Sequence, residues 1–495
     1  MTIGLVAGKL RRTNSTLGGV RYSAGWRYVK RRLSFEEGVT EQPVPATTVA
    51  ADAGAPLPRV AVVLAAGRSQ RLDALTGGAS KAVLRIGGLS LLERMLRNLL
   101  GGGVERVAVV VGHDGDEVGR LASRSAGGRV EVVRAEHWSL GNGCSLAAAE
   151  AVAAPEPLFA VTTVDHLFCP GALTELLAAG EPAVLVDPAP SPAVVAEGSR
   201  VVVADGLAVG FGKGLATPAV DCGVFLLPPE VFECQRLAAA DGDYSLAGAL
   251  SRLAQRRILK VVPLRRDAWW QDVDTPADLR TARRLMRRSL AKPTDGPVAR
   301  WLNRPLSTRL SMALTALHPS PDLVTLLVFL LTMAGAVGLA AGAGLVGGIL
   351  VQLSSVLDGV DGELARLLAR TSSRGAVLDS ILDRVADAAV LAGVGLWALS
   401  RHVPSDVVVL LTSAAITGAF ISMAVKDRAA ALQLGPFPER LLRWLLGGRD
   451  GRLFLVALCS VLGQPLLALL AVAATSGLAA AGRLLAIWKP APARS

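Results

Sequence analysis

Four aspartates recur at fixed intervals within one apolar stretch in the second half of the chain. Asp358 and Asp361 are three residues apart, and Asp379 and Asp383 are four residues apart. On α-helices, either spacing places both carboxylates on the same face. Carboxylates are costly in apolar surroundings, so their presence there indicates a functional site. Two such helices side by side would direct four carboxylates at one point, and carboxylate oxygens are the ligands that Mg²⁺ prefers.

The full pattern around these aspartates is longer than the four carboxylates. It reads Asp358-x2-Asp361-Gly362-x2-Ala365-Arg366-x8-Gly375-x3-Asp379-x3-Asp383. The pattern resembles the CDP-alcohol phosphatidyltransferase family. The resemblance implies a membrane enzyme in which an alcohol attacks a CDP-linked donor, a phosphodiester forms and CMP is released.

The resemblance also implies a role for each acid. Asp358, Asp361 and Asp379 would bind two metal ions, with Mg²⁺ expected and Mn²⁺ possible. Asp383 would lie beside the metals as a further ligand and act as the general base for the acceptor hydroxyl. Asp387 lies one more turn along the same face, and its part in the site stays open.

The other motif positions would serve the nucleotide. Gly362, Ala365 and Gly375 are small, which would let a cytidine nucleotide approach the helix backbones. Arg366 would offset the charge of the diphosphate.

The chain that positions these residues divides into two halves. It has 495 residues, which is too long for one ordinary domain, and its mean hydropathy of +0.45 is high. Residues before about 300 are typical of an α/β domain, whereas those after about 320 are typical of a membrane bundle. Candidate spans of roughly 20 residues are 323–341, 343–360, 376–398, 405–425, 452–468 and 470–488.

Basic residues predict the orientation of these spans. The net charge is +11, and six Lys or Arg residues lie in the 426–452 loop. The positive-inside rule then places this loop, both termini and the catalytic sites on the cytoplasmic side of a multi-pass cell-membrane protein. Arginine pairs at 283–284 and 287–288 adjoin the membrane half, which favours contact with anionic lipid headgroups over nucleic acid.

The predicted fold class is a Rossmann-like, GT-A-like α/β nucleotidyltransferase domain plus an all-α membrane domain of about six transmembrane helices. We expect a basic, flexible arm at 1–55, the nucleotidyltransferase domain at 56–288, a linker with a juxtamembrane helix at 289–320, and the membrane domain at 321–490. A second amphipathic interfacial helix is expected at 436–446. Five scattered cysteines without a CxxC pair predict free thiols.

The first half begins with a motif that predicts phosphate binding. Residues 59–64 form an apolar, β-branched run typical of a buried strand. A glycine-containing loop follows it, and the backbone N–H groups of such a loop can hold phosphates. Lys81 lies far enough along the chain from this loop for its side chain to reach back to the same phosphate site. Strands are also predicted at 107–111 and 158–163.

This block resembles the sugar-phosphate nucleotidyltransferases. Their signature corresponds to Leu64, Ala65, Ala66 and Gly67 as the phosphate loop, followed by Arg71 and Lys81 as triphosphate-binding, charge-stabilising residues. The chain departs from the signature twice. Ser69 replaces the usual second glycine, and Ser80 replaces the proline before the lysine.

Later polar residues complete the predicted nucleotide site. In the superfamily, the loop at 141–145 reads the base, so Asn142 and Ser145 would bind the edge of cytosine, although either residue also suits a helix N-cap. Lys213 is a candidate for binding the substrate phosphate, but a lone loop lysine is more often solvated.

A metal site is predicted after the strand at 158–163. Asp165 follows this strand where a Mg²⁺ ligand is expected. Asp274 is the first choice for the second carboxylate and Asp272 the alternative, while Asp278 suits the first turn of the next helix. His166 shows no ligand spacing, and no zinc site is expected.

The order of the domains resembles the bifunctional inositol-1-phosphate cytidylyltransferase and di-myo-inositol-phosphate-phosphate synthase family. The resemblance implies that CTP and inositol 1-phosphate give CDP-inositol, which then reacts with a second inositol 1-phosphate to give a phosphodiester and CMP. After dephosphorylation by another enzyme, the product would be a compatible solute. Partners would include the lipid bilayer and a second copy of the membrane domain, but no nucleic acid.

Two alternatives stay open at the level of sequence. The first half could activate another polyol phosphate or amino-alcohol phosphate, and the second half could transfer it to a lipid in phospholipid synthesis. In the other alternative, the first half is a degenerate, regulatory domain, an idea supported only by Ser69 and Ser80.

Overall fold

A computed structural model of the chain describes residues 57–68, 70–292, 294–432, 444 and 446–488. The predicted arm at 1–55, Ser69 and most of the predicted interfacial helix at 436–446 lie outside these ranges. The described residues form a sheet-based half followed by a helical half. All five cysteines are free thiols, as predicted.

The strands of the described residues all lie in the first half. They are β1 Val60–Ala65, β2 Arg85–Ile86, β3 Leu89–Ser90, β4 Arg106–Val111, β5 Val130–Arg134, β6 Phe159–Thr163, β7 His166–Phe168, β8 Ala183–Asp187, β9 Arg200–Ala204, β10 Leu207–Gly212, β11 Val220–Leu227, β12 Lys260–Pro263 and β13 Trp270–Asp272. The predicted strands at 59–64, 107–111 and 158–163 are confirmed as β1, β4 and β6. They form because apolar, β-branched runs bury both faces, and every residue of β1 is buried.

Nine strands form one mixed sheet in the order β5-β4-β1-β6-β11-β8-β12-β10-β9. The strands β5, β4, β1 and β6 are parallel, and β11 pairs antiparallel with β6. Since β1 and β6 lie side by side and point the same way, their carboxyl ends share one sheet edge. The loop after β1 and the turn after β6 therefore meet at that edge.

Helices cover both faces of the sheet. Alternate residues of β1 pack into different cores, with Ala61 and Val63 in one and Val60 and Val62 in the other. The helices of this half are α1 Asp73–Thr76, α2 Leu91–Gly101, α3 Gly115–Ala126, α4 Asn142–Ala148, α5 Glu150–Ala153, α6 Thr174–Leu177, α7 Pro192–Glu197, α8 Glu230–Ala240, α9 Leu246–Gln255 and α10 Pro276–Ser289. The longest, α10, begins with a capping box between Thr275 and Asp278.

The second half is helical over most of each predicted span. It contains α11 Arg304–Leu314, α12 Pro321–Ala340, α13 Gly344–Leu367, α14 Ser373–Ser400, α15 Ser405–Ala431, α16 Arg449–Val461 and α17 Pro465–Trp488. Among the described residues, α12, α13, α15 and α17 are long and apolar enough to cross a membrane.

The helices at the other two predicted spans, α14 and α16, do not meet this criterion of length and apolar composition. Helix α14 carries Asp379, Asp383, Arg384 and Asp387 along its length, and α16 has only 13 residues. The predicted span at 452–468 is divided at residues 462–464, before α17 starts with Pro465. Proline is favoured in the first turn of a helix, which accounts for the new start.

Small residues bring the helices of the second half close together. A Cβ atom on Gly393 of α14 would lie 2.5 Å from the carbonyl oxygen of Ala336 on α12. A Cβ atom on Gly344 of α13 would lie 2.2 Å from the Trp397 ring on α14. Larger side chains at these positions would separate the helices that carry the aspartate motif.

The two halves touch through the turn between β2 and β3. Gly88 in this turn has φ +87°, and a Cβ atom there would lie 2.5 Å from Leu368 Cδ2, just beyond α13. The guanidinium of Arg94 donates to backbone carbonyls of the turn and, at 3.1 Å, to the Leu367 carbonyl. Met286 of α10 packs in the same apolar cluster as Leu367. The first half thus contacts the end of a motif helix directly.

Candidate active sites

The first candidate site lies at the carboxyl edge of the sheet and is centred on an ammonium group. Lys81 Nζ lies 2.6 Å from Asp165 Oδ2 and 2.5 Å from Asp274 Oδ1. Lys81 begins a 3-10 turn that is capped by Ser80, whose hydroxyl accepts from the Ala82 N–H. The fold thus brings together three predicted residues that are far apart in sequence, and Ser80 positions Lys81 without the usual proline.

Electrostatics keep this group ionised. Burial alone would raise the pKa of the Asp165 carboxyl, but Lys81 and His166 outweigh burial and hold it well below its ordinary value. Burial likewise opposes the charge of Lys81, yet Asp165 and Asp274 raise the pKa of its ammonium above the ordinary value. Lys81 is therefore cationic and Asp165 anionic at neutral pH.

A second group of ligand atoms adjoins the first. Oxygens of Asp165 and Asp272 and a ring nitrogen of His166 all lie within 4.8 Å of one another. Pairing of β13 with β7 places Asp272 opposite His166. Asp272 Oδ1 is buried and has no hydrogen-bond partner among the described residues. An unpartnered carboxylate oxygen beside a second carboxylate fits a hard divalent cation.

The pKa values of this group follow from its burial and charge. Burial and the neighbouring carboxylates raise the pKa of Asp272 to about 7. Burial opposes the charge of His166, but Asp272 and Asp165 raise its pKa to about 9. The sequence analysis found no ligand spacing at His166 and gave it no role, although its position next to Asp165 after a strand was a usable signal.

The predicted phosphate loop combines buried and exposed positions. Leu64, Ala65 and Ala66 are buried, so only their backbone atoms can serve a ligand, whereas Gly67 is exposed. Arg71 has a 65% exposed side chain with Nη1 at 3.9 Å from Asp274 Oδ2. The loop and Arg71 thus lie beside the Lys81 group.

The other predicted nucleotide contacts are placed differently. Asn142 Oδ1 accepts the Leu246 N–H at 2.7 Å, so this oxygen joins α4 to α9. Gly141, rather than Asn142 or Ser145, caps α4, and Ser145 is buried. Lys213 is exposed in the turn after β10.

The second candidate site lies between α13 and α14. Carboxylate oxygens of Asp358, Asp379 and Asp383 lie within 4.8 Å of one another, so the two helices bring three of the four acids together. Asp361 lines the same cavity. Its Oδ2 accepts from the Thr325 hydroxyl of α12 at 2.5 Å, so Asp361 is separately hydrogen-bonded. Three clustered carboxylates fit the oxygen preference of Mg²⁺.

Sequence reasoning missed a cation in this site. Arg449, at the start of α16, forms an ion pair with Asp358 and another with Asp383, with Nη2 3.0 Å from Asp383 Oδ1. Its Nε also donates to Asp387 at 3.1 Å. Arg449 is separated from the motif by more than sixty residues, so only its place in a basic loop pointed to it.

The remaining motif residues lie outside the lining of the cavity that contains the four aspartates. Arg366 donates to the Leu290 carbonyl, just after α10, at 3.1 Å. Around Gly362, the nearest atom to an added Cβ is Arg366 Nη1 at 3.4 Å, so this position is open. The Gly375 N–H donates to the Ser372 hydroxyl at the start of α14. Ala365 is partly buried.

Comparisons with known proteins place each half in a family. Residues 61–198 match the MobA-like NTP transferase domain, and residues 319–482 match the CDP-alcohol phosphatidyltransferase model. The solved inositol-1-phosphate CTP transferase from T. maritima is 27% identical, with a TM-score of 0.42, and the match covers 46% of this chain and 93% of that chain.

Two curated relatives align with most of the chain. The bifunctional IPC transferase and DIPP synthase of Rubrobacter xylanophilus is 41% identical over 437 residues, which cover 86% of this chain and 96% of the relative. The Aquifex aeolicus protein of the same name is 33% identical over 408 residues, which cover 81% and 92%. The resemblances inferred from the motifs are confirmed, and the chain belongs to the family of bifunctional IPC transferases and DIPP synthases.

Proposed function

We propose that this protein makes CDP-inositol from CTP and inositol 1-phosphate and then uses it to join two inositol phosphates. The observation that carries this proposal is the presence of two separate acid-and-cation sites in one chain, each containing acids from the motif of its own family. The names of the full-length relatives supply the substrates.

In the first step, a phosphate oxygen of inositol 1-phosphate attacks the α-phosphorus of CTP. The new P–O bond forms as the bond to the β-phosphate breaks, and pyrophosphate leaves. Lys81 and Arg71 stabilise the negative charge that develops on the phosphates, and the loop after β1 holds the triphosphate through backbone N–H groups. The protein mainly positions the reactants, as is usual for transfer at phosphorus.

In the second step, a hydroxyl of inositol 1-phosphate attacks the inositol-bearing phosphorus of CDP-inositol. The phosphodiester forms as the P–O–P bridge breaks, and CMP leaves. Asp383 accepts the hydroxyl proton, while Arg449 and Arg366 offset phosphate charge.

Both sites are suited to Mg²⁺, with Mn²⁺ as an alternative. Asp165 with Asp272 or Asp274 would hold it in the first site, and Asp358, Asp379 and Asp383, together with Asp361, in the second. Bound there, a divalent cation would neutralise phosphate oxygens as negative charge develops.

We further propose a cell-membrane location with both sites and both termini on the cytoplasmic side. Four apolar helices and the basic residues of the 426–452 loop support this orientation. Pairing of two membrane domains stays a prediction.

The structure offers a sharp test of the first site at Gly223. Its φ is +70°, and a Cβ atom there would lie 2.7 Å from the His166 ring. We expect Gly223→Ala to lower the rate of CTP consumption by about tenfold or more, because the added methyl group displaces the ring from its present position beside Asp165. The strained backbone adds about 1–3 kcal/mol of destabilisation. Initial rates and thermal unfolding measure the two effects.

Gly242→Ala is the matched control for this substitution. Gly242 has φ +82°, but nothing lies within 4 Å of an added Cβ atom. It should therefore lose stability without losing CTP turnover. Equal rates for the two variants would argue against a role for the His166 position in the first site.

The proposed function is tested by ³¹P NMR on the purified, detergent-solubilised protein with CTP, inositol 1-phosphate and Mg²⁺. Pyrophosphate, then CMP and a new phosphodiester, are expected. If CDP-inositol does not form, the inositol assignment is wrong. If CDP-inositol forms but is used only when lipid is added, the second step has a lipid acceptor instead.

A further inference from the structure

Asp387 is a buried acid outside the aspartate motif. It lies on α14 one turn beyond Asp383 and is only 4% exposed. Its Oδ1 accepts from Arg449 Nε at 3.1 Å, and its Oδ2 accepts from Arg452 Nη2 at 2.6 Å. Both carboxylate oxygens are thus used by arginines of α16, so Asp387 ties the start of α16 to the motif helix.

The two arginines differ in what they face. Arg452 is 3% exposed and donates its other terminal nitrogen to the Gly447 carbonyl, so its contacts are structural. Arg449 instead directs both terminal nitrogens at the acid cluster. Its Nη1 is buried and pairs with Asp358, one of the three clustered carboxylates. The two terminal nitrogens of Arg449 therefore face the acids of the second site, and a guanidinium group placed there can also bind a phosphate.

We propose that Asp387 is a positioning residue for the second step, acting through Arg449. The Nε contact fixes the guanidinium plane, so that Nη1 and Nη2 face a phosphate oxygen of the donor or of the acceptor. Arg452 balances the second oxygen of Asp387 and keeps the carboxylate in place. This inference rests on the proposed function of the second site.

The charges explain why an acid is needed at this position. Two buried arginines side by side would repel each other, and Asp387 accepts from both. Asparagine would fill the same volume, but it has only one acceptor oxygen and no charge. The guanidinium of Arg449 would then lose its fixed orientation, even if the helices remained packed.

The test supplies CDP-inositol and inositol 1-phosphate to wild type and to Asp387→Asn, and measures kcat and both KM values. We expect kcat/KM to fall about 10- to 100-fold, the usual cost of removing a group that orients a functional residue. The substrate whose KM rises identifies the phosphate that Arg449 binds. Asp387→Glu, which keeps the charge, should recover part of the loss.

A double-mutant cycle separates positioning from mere stability. Arg449→Lys keeps the charge but has no Nε–H for Asp387, so adding Asp387→Asn should cost little more. The matched control is Asp427→Asn. Asp427, on α15, forms an exposed ion pair with Arg384, which lies on α14 like Asp387, and its replacement should leave kcat/KM unchanged. Formation of CDP-inositol from CTP by each variant reports on folding of the rest of the chain.

The outcomes distinguish this inference from the proposed function. An active wild type with additive losses in the cycle, or with an unaffected Asp387→Asn variant, would overturn the positioning role alone. A wild type that cannot use CDP-inositol with inositol 1-phosphate would overturn the proposed function, and the positioning role would fall with it.

Discussion

Replacing Asp383 with asparagine is expected to halt the reaction at CDP-inositol. Asparagine cannot accept the proton of the attacking hydroxyl, and it removes one of the three clustered carboxylates. Loss of a general base typically costs about 10²- to 10⁴-fold, and we expect the upper end of this range. In a ³¹P NMR time course from CTP and inositol 1-phosphate, pyrophosphate and CDP-inositol should accumulate while CMP stays absent.

Asp406→Asn provides the control for this experiment. Asp406 lies in the first turn of α15 and is exposed, so its variant should form CMP like the wild type. If the Asp383 variant formed CMP and the phosphodiester at the wild-type rate, Asp383 would not be the base.

Replacing Asp165 with asparagine is expected to abolish the first step and spare the second. Lys81 would lose one of the two carboxylates that pair with its ammonium group. The group of possible metal ligands formed by Asp165, His166 and Asp272 would lose the negative charge of Asp165. We expect CTP consumption to fall by at least about 10²-fold, comparable with loss of one strong electrostatic contact in a preorganised site. Supplied CDP-inositol should still be converted with inositol 1-phosphate.

This second experiment also addresses the idea of a regulatory first half. Asp205→Asn is the control, because Asp205 lies in the turn between β9 and β10 and forms an exposed ion pair with Arg257. A regulatory domain predicts that CTP consumption is equally low in the wild type and in both variants. If the Asp165 variant consumed CTP at the wild-type rate, the assignment of the first catalytic site to the residues around Asp165 would be wrong.

Local patterns predicted the parts of the fold that depend on neighbouring residues. Apolar, β-branched runs were sufficient for β1, β4 and β6, and the 3- and 4-residue spacings were sufficient for the acid faces of α13 and α14. The length of α16 was missed because an apolar run does not show where a turn divides it. The turn at 462–464 depends on Pro465, which suits a helix start as well as a break.

Contacts between distant segments were harder to predict. Lys81 and Asp274 are 193 residues apart, and family resemblance, rather than spacing, suggested that they meet. Arg449 and Asp387 belong to no motif, and their contact depends on how α16 packs against α14. Asp361 was expected beside the other acids, but its hydrogen bond with Thr325 depends on α12.

The contact between the two halves at Gly88 and Leu368 has a consequence for how CDP-inositol moves from the first site to the second. Helix α10 begins just after Asp274 and ends just before Leu290, whose backbone carbonyl accepts a hydrogen bond from Arg366. The 14 residues of α10 span about 21 Å. Because CDP-inositol is not tethered to this frame, the frame shortens the distance that it must diffuse but does not raise its effective concentration.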